Sequence, residues 1–233
     1  MAKIICVLGN KGGTGKTTLS HMLCQGLGLL GHRAACILTD VSREPLSPNG
    51  RRYITADARN GDALTKVIDK LRSLDDWIGV VDGAGNRTDM DRRLYVMADI
   101  VLLPFRDSHE DIRAVVRDLD LFPRAYAVPA QWPVNAWQRN AADRNVTHMM
   151  NAFRHRILKP VAALSSSKLL LQKQVPDQLP SPLNRGCRAL AREVLEVLEI
   201  GVDSDKGDEP RADAVLASRL PAADMPLRVQ RAG

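Results

Sequence analysis

Aromatic residues are scarce: the 233-residue chain has three Trp, three Tyr and three Phe, 4% in all. A surface that reads unpaired bases needs stacking platforms, so recognition of single-stranded or specific nucleic-acid sequence is disfavoured. Cysteine is also sparse. Cys6, Cys24, Cys36 and Cys187 lie in apolar stretches at scattered spacings with no CxxC pair. They read as buried free thiols, not as a disulfide frame or a zinc site. The histidines, His21, His32, His109, His148 and His155, form no ligand-spaced cluster, so no structural transition metal is expected. No apolar run reaches the length needed to span a bilayer. Met1-Ala2-Lys3 leads directly into a strand-like segment, which predicts no secretory leader and a cytoplasmic protein.

What is present is a folded composition, with 45% hydrophobic and 26% charged residues, enough for one substantial domain with a real core. The formal net charge is +6 and is unevenly placed. Residues 1–123 hold 17 basic and 16 acidic residues, residues 124–200 hold 11 and 5, and residues 201–233 hold 5 and 6. The excess positive charge therefore belongs to the 124–200 region, where an anionic partner could be met. Residues 201–233, rich in Asp, Ala, Pro and Gly, read as a disordered tail following a domain over 1–200. Pro221 and Pro226 interrupt any amphipathic membrane helix there, so no membrane partner is expected.

Short apolar runs alternate with helical spacing. Residues 4–8, 33–39, 53–56, 77–82, 100–104 and 125–128 read as strands, several too continuously apolar to have a wet face. Residues 17–30, 63–74, 89–97, 109–122, 141–156 and 183–199 read as helices, with a weaker helical piece at 165–172. This alternation predicts an α/β fold with a mostly parallel sheet and helices on both faces.

Between the first strand and the first helix runs Gly9-Asn10-Lys11-Gly12-Gly13-Thr14-Gly15-Lys16-Thr17-Thr18. A phosphate loop of the GxxxxGK[ST] kind belongs in that context. Gly12, Gly13 and Gly15 allow backbone N–H groups to curl around phosphate oxygens. Lys16 neutralises the β and γ phosphates, Thr17 can ligate Mg²⁺, and Thr18 adds a phosphate contact at the positive end of the helix.

The second lysine, Lys11, makes the motif KGGTGKTT. This resembles the deviant Walker A of the ParA/MinD family of P-loop NTPases, over roughly residues 1–200. The resemblance implies ATP and Mg²⁺ as cofactors and an ATP-dependent homodimer. Lys11 would reach in it to the phosphates held by the other subunit, so Lys11, Lys16 and Asp40 carry the catalytic expectation. Asp40 takes the second aspartate of the family's DxDPQ segment, which orients the attacking water near magnesium. Leu38, Val41 and Ser42 depart from that segment, which implies slow or partner-dependent hydrolysis. Asp82, ending Ile78-Gly79-Val80-Val81-Asp82, fits a Walker B aspartate; VDGAG is similar to ParF-type partition ATPases. The expected metal set is Thr17, Asp40 and Asp82. Ala98 to Pro104, followed by Arg106-Asp107-Ser108, resembles the family's AD-apolar-P segment, which implies a strand leading to a loop near the dimer interface; Asp99 and Asp111 are readable as simple helix caps. No strong general base stands beside these residues, so catalysis should rest on positioning and electrostatics.

On a helix over 183–199, Leu183, Cys187, Leu190, Val194 and Val197 share one side, and Arg185, Arg188 and Arg192 the other. Arg154, Arg156, Lys159, Lys168 and Lys173 add charge nearby in sequence. Family partition ATPases bind double-stranded DNA non-specifically, for which phosphate contacts suffice. The resemblance thus implies a nucleoid-associated ATPase that positions or segregates a cargo with a ParB-like or other adaptor. The cargo could be a plasmid, a chromosome region or a protein body; the WPVNAW loop is faintly similar to the carboxysome-positioning branch. That loop reads equally as a partner contact or a packed turn. The competing readings are a MinD-like membrane regulator and a metabolic P-loop ligase. A nitrogenase-iron-protein-like reductase lacks the cysteines it would need.

Overall fold

The computed structural model describes residues 1–201 apart from 10, 42–45, 48 and 85–87, and only the backbone at 61 and 88–90. The tail expected at 201–233 lies, but for Gly201, outside the described residues. Six strands form one sheet: β1 (Lys3–Val7), β2 (Arg33–Leu38), β3 (Ile54–Asp57), β4 (Trp77–Asp82), β5 (Ile100–Phe105) and β6 (Ala125–Pro129), in the order β3-β2-β4-β1-β5-β6. Every pairing is parallel. β4 and β5 are buried along their whole length, as continuous apolar runs in a doubly covered sheet require.

The two-residue period of β1 divides the core. Ile4 and Cys6 face α2 (Gly61–Arg72), α3 (Thr88–Met97), α4 (His109–Leu121) and α5 (Ala136–Met149). Ile5 and Val7 face α1 (Lys16–Leu29), α6 (Ser181–Val197) and a short 3₁₀ segment, Ser165–Leu171. Asn60, Ser108 and Asn135 cap α2, α4 and α5 by accepting backbone N–H groups, each satisfying donors that a helix start leaves open. Two glycines let α1 pack closely. A Cβ on Gly26 would lie 2.0 Å from the Cys187 carbonyl oxygen of α6, and one on Gly28 2.2 Å from that of Arg52.

Two expectations change here. The helix expected over 141–156 starts five residues earlier, at Ala136 behind the Asn135 cap, and ends at Met149; a separate 3₁₀ segment, Asn151–Arg156, follows. The chain must turn there, because Ile157 bridges to Ala127 alongside β6. In the WPVNAW loop, the two tryptophans separate. Trp132 is core, edge-on to Phe105 and donating to Asp143 at 2.9 Å, whereas Trp137 is 77% exposed.

Candidate nucleotide site

β1, β4 and β2 end side by side, and their register sets the site. Asp82 lies opposite Val7 on one side and Leu38 on the other. The loop leaving β1, the aspartate closing β4 and the segment through Thr39 and Asp40 after β2 thus meet at one carboxyl edge, the place where open α/β sheets bind ligands. The Thr39 hydroxyl donates to the Asp82 carbonyl at 2.6 Å, which ties the second strand's exit to the fourth.

Within the loop, Gly13 and Gly15 have φ of +77° and +95°, conformations that disfavour side-chain-bearing residues. Counted strictly, Asn10 stands where GxxxxGK[ST] has its first glycine, so the motif is the deviant form with Lys11 and not the general pattern. Lys16, 8% exposed, donates to the carbonyls of Gly9 at 2.9 Å and Lys11 at 2.8 Å. It braces the loop from beneath. Thr14 is buried, and Thr17 and Thr18 are half-buried at the start of α1. Asp82 is 1% exposed and accepts from the Ser20 hydroxyl at 3.3 Å. Thr17 lies in the first turn of α1, Asp82 ends β4 and Asp40 follows β2 at the same edge; among the described residues no group of three His, Cys, Asp or Glu could hold a metal ion by itself. This donor set fits an ion held mainly by phosphate oxygens and water, which is how magnesium is usually bound at phosphate sites.

Sequence reasoning missed the rim of the site. Lys11 is paired with Asp111 at 2.6 Å and Glu110 at 3.0 Å, in the first turn of α4. Both carboxylates raise its pKa, with Asp111 the larger influence. Asp111 is 1% exposed and also takes the Arg106 backbone N–H at 3.1 Å and its Nε at 3.4 Å. Burial disfavours its charge, but the bonds from Lys11, Ser108 and Arg106 prevail and hold its pKa below the usual carboxylate value. Asp111 is thus an ion-pair anchor in the first turn of α4 and not the expected helix cap, which is Ser108. Asp99 is not at this rim: at the opposite, amino end of β1 and β5, it pairs with Arg72 at 2.9 Å and accepts from the Ile4 N–H at 2.7 Å. Gln131, after β6, covers Gly15, its Nε2 standing 3.1 Å from where a Cβ would sit. The carboxylates that hold Lys11, and the glutamine that covers Gly15, lie 99 residues or more away in the chain, so those contacts have no local sequence signature.

Asp91 of α3 is buried beside these elements, 6% exposed. Burial pushes its pKa up to about 6, with Lys16 opposing and Asp118 adding to the rise. A raised folded-state pKa stabilises the fold below the ordinary value of 3.8, and that stabilisation is lost as pH rises through about 6. Asp91→Asn is therefore expected to gain stability relative to wild type on going from acid to pH above 7, by about 1–3 kcal/mol. Chemical denaturation across that range checks this; a pH-independent difference would contradict it.

The basic residues fall into two groups. Arg185, Arg188 and Arg192 lie on α6 opposite its buried stripe, Arg185 and Arg192 exposed and Arg188 half-buried. Lys159 is exposed and joined to α6 through its backbone N–H, which donates to Glu193 at 2.8 Å; Lys168 and Lys173 are exposed near the 3₁₀ segment packed on α1. Arg154 is exposed on the other layer, beside α5. Arg156 departs from expectation. Its guanidinium donates to the carbonyls of Leu119, Phe122, Pro123 and Ala125 at 2.9–3.5 Å. It closes the end of α4, which engages its donors and gives it a structural role.

The family model "CobQ/CobB/MinD/ParA nucleotide binding domain" matches residues 5–127. No curated protein matches the chain in sequence. Among solved structures, an ATP complex of a point variant of McdA from Cyanothece superposes with a TM-score of 0.63 at 16% identity, covering 88% of this chain and 99% of that one. MinD from Pyrococcus horikoshii in complex with Mg-ADP gives 0.61 at 15% identity, covering 85% and 98%. The pNOB8 ParA bound to nonspecific DNA gives 0.56 at 14% identity, covering 85% and 99%. With the family match spanning more than half of the sequence, and the loop, Asp82 and the six-stranded parallel sheet arranged around it, the chain belongs to the CobQ/CobB/MinD/ParA family of nucleotide-binding proteins.

Proposed function

We propose that the chain is a ParA-type ATPase that dimerises on Mg-ATP, binds double-stranded DNA non-specifically and positions a cargo through an adaptor that stimulates hydrolysis. The observation that carries this reading is Lys11: a second lysine at the mouth of the phosphate loop, held by two carboxylates of α4. Lys16 already supplies the cation beneath the loop, so the second lysine, held at the partly exposed rim by its two carboxylates, is placed to meet phosphates presented by a second subunit. The similar McdA and ParA structures, with ATP and with nonspecific DNA, support the same reading.

Lys16, the loop N–H groups and Thr18 bind the phosphates. Thr17, with Asp82 and Asp40 acting through water, would hold Mg²⁺, which when bound neutralises charge on the β and γ phosphates. Asp40 orients the water that attacks the γ phosphorus as the bond to the β–γ bridging oxygen breaks, and Lys11 stabilises the charge developing there from the partner subunit. With no strong base beside the water, positioning and charge supply the rate. Hydrolysis then releases the dimer from DNA, giving a nucleoid-associated cycle.

On DNA the working face is α6, doubled in the dimer, with Lys159, Lys168 and Lys173 beside it. Arg185→Ala, Arg188→Ala and Arg192→Ala together are expected to weaken DNA binding by roughly 100-fold or more and to flatten the log–log salt slope by about 0.9 for each DNA phosphate that is no longer neutralised. ATP-driven dimerisation should be retained. Electrophoretic mobility at several salt concentrations, alongside sedimentation, reads both; unchanged DNA binding would move the interface elsewhere.

A further inference from the structure

Arg106 opens the loop that follows the apolar-Pro segment, and it stands at the phosphate loop. It follows β5, the neighbour of β1, and so emerges at the same carboxyl edge. Its Nη2 lies 3.9 Å from where a Cβ on Gly13 would begin. Its Nε and backbone N–H both bind Asp111 Oδ2, while Lys11 takes Oδ1 of the same carboxylate. Its side chain is 42% exposed, close to the 37% of Lys11. Two cations thus share one buried anchor at the open rim of the loop, and one of them overlies a loop glycine.

From this geometry we infer that Arg106 is a phosphate-contacting residue that reads the terminal phosphate of the nucleotide in its own loop. The inference rests on the ATPase reading above. Lys16 works beneath the loop, whereas Arg106 works from the rim, next to Gly13 and Lys11. A phosphate reaching the rim finds donors on a planar guanidinium whose Nε side is already fixed by Asp111, so little ordering is required on binding. ADP, one phosphate shorter, ends deeper in the loop and gains less.

The test is titration of fluorescent ATP and ADP analogues with Mg²⁺ against wild type, Arg106→Ala and Arg106→Lys, with melting temperature measured on each. Arg106→Ala is expected to weaken ATP binding about tenfold, the scale of one charge-assisted hydrogen bond, and ADP binding less than about threefold. Arg106→Lys, which keeps the charge but not the fork, should recover part of the ATP loss. Equal losses for ATP and ADP, or no change in ATP affinity beyond twofold, would overturn the proposal. A lowered melting temperature with unchanged nucleotide binding would reduce Arg106 to a partner of Asp111. If wild type itself fails to bind Mg-ATP, the ATPase reading falls first and takes this one with it.

Discussion

Lys16→Ala should abolish Mg-ATP binding in the working range, with an affinity loss of roughly 100-fold or more, while the protein stays folded. The lysine is almost wholly buried, and its ammonium holds the carbonyls of Gly9 and Lys11. Removing it therefore does two things. It withdraws the cation that, in the proposed mechanism, meets the inner phosphates, and it leaves two loop carbonyls without that donor. Loss of a charged hydrogen-bond partner costs about 1.5–3 kcal/mol, and every 1.4 kcal/mol is about tenfold in affinity. The loop's role in nucleotide binding should collapse without the sheet being disturbed, because Lys16 lies at the sheet's edge and not in its core. Calorimetric titration with a circular dichroism control checks both halves; near-normal ATP affinity in this variant would remove the phosphate loop from the account.

The largest effect on stability is expected at Gly26→Ala. The added Cβ would meet the Cys187 carbonyl oxygen at 2.0 Å, its carbon at 2.5 Å and the Ala191 Cβ at 2.9 Å. The first two are backbone atoms, which no rotamer change can move. Alanine favours a helix over glycine by about 1 kcal/mol, but parting α1 from α6 exposes Leu183, Cys187, Leu190 and Val194, all at 3% or less in the fold. The net loss should be about 3 kcal/mol or more, a fall in Tm of roughly 6–12 °C for a chain of this size. Because α6 carries Arg185, Arg188 and Arg192, DNA binding should fail together with the packing. A thermal melt within a few degrees of wild type would mean the helices are not packed this closely.

The sequence is most informative where local rules are strong. KGGTGKTT between a strand and a helix announces its own geometry, and the runs 77–82 and 100–104 are so continuously apolar that a doubly covered sheet is almost forced. Asp82 is legible for the same reason, as the polar stop of an apolar strand. Failures come where the apolar period is weak or the deciding contact is distant. α5 has few apolar residues and weak periodicity, so its start depends on the Asn135 cap. Arg156 looks like any surface arginine until the end of α4 is placed under its guanidinium. The carboxylates that hold Lys11 are 99 and 100 residues away, and nothing near Arg106 signals that it overlies Gly13.

In the proposed cycle, nucleotide state decides when two basic faces act together on DNA. The direct measurement is fluorescence anisotropy of a labelled random-sequence duplex, titrated with the protein in Mg-ATP, in Mg-ADP and without nucleotide, across a range of salt. Binding is expected with ATP alone, with a logarithmic affinity that falls linearly with the logarithm of salt concentration, and none is expected by Lys16→Ala. Equal binding in ADP, binding insensitive to salt, or none with ATP would contradict it.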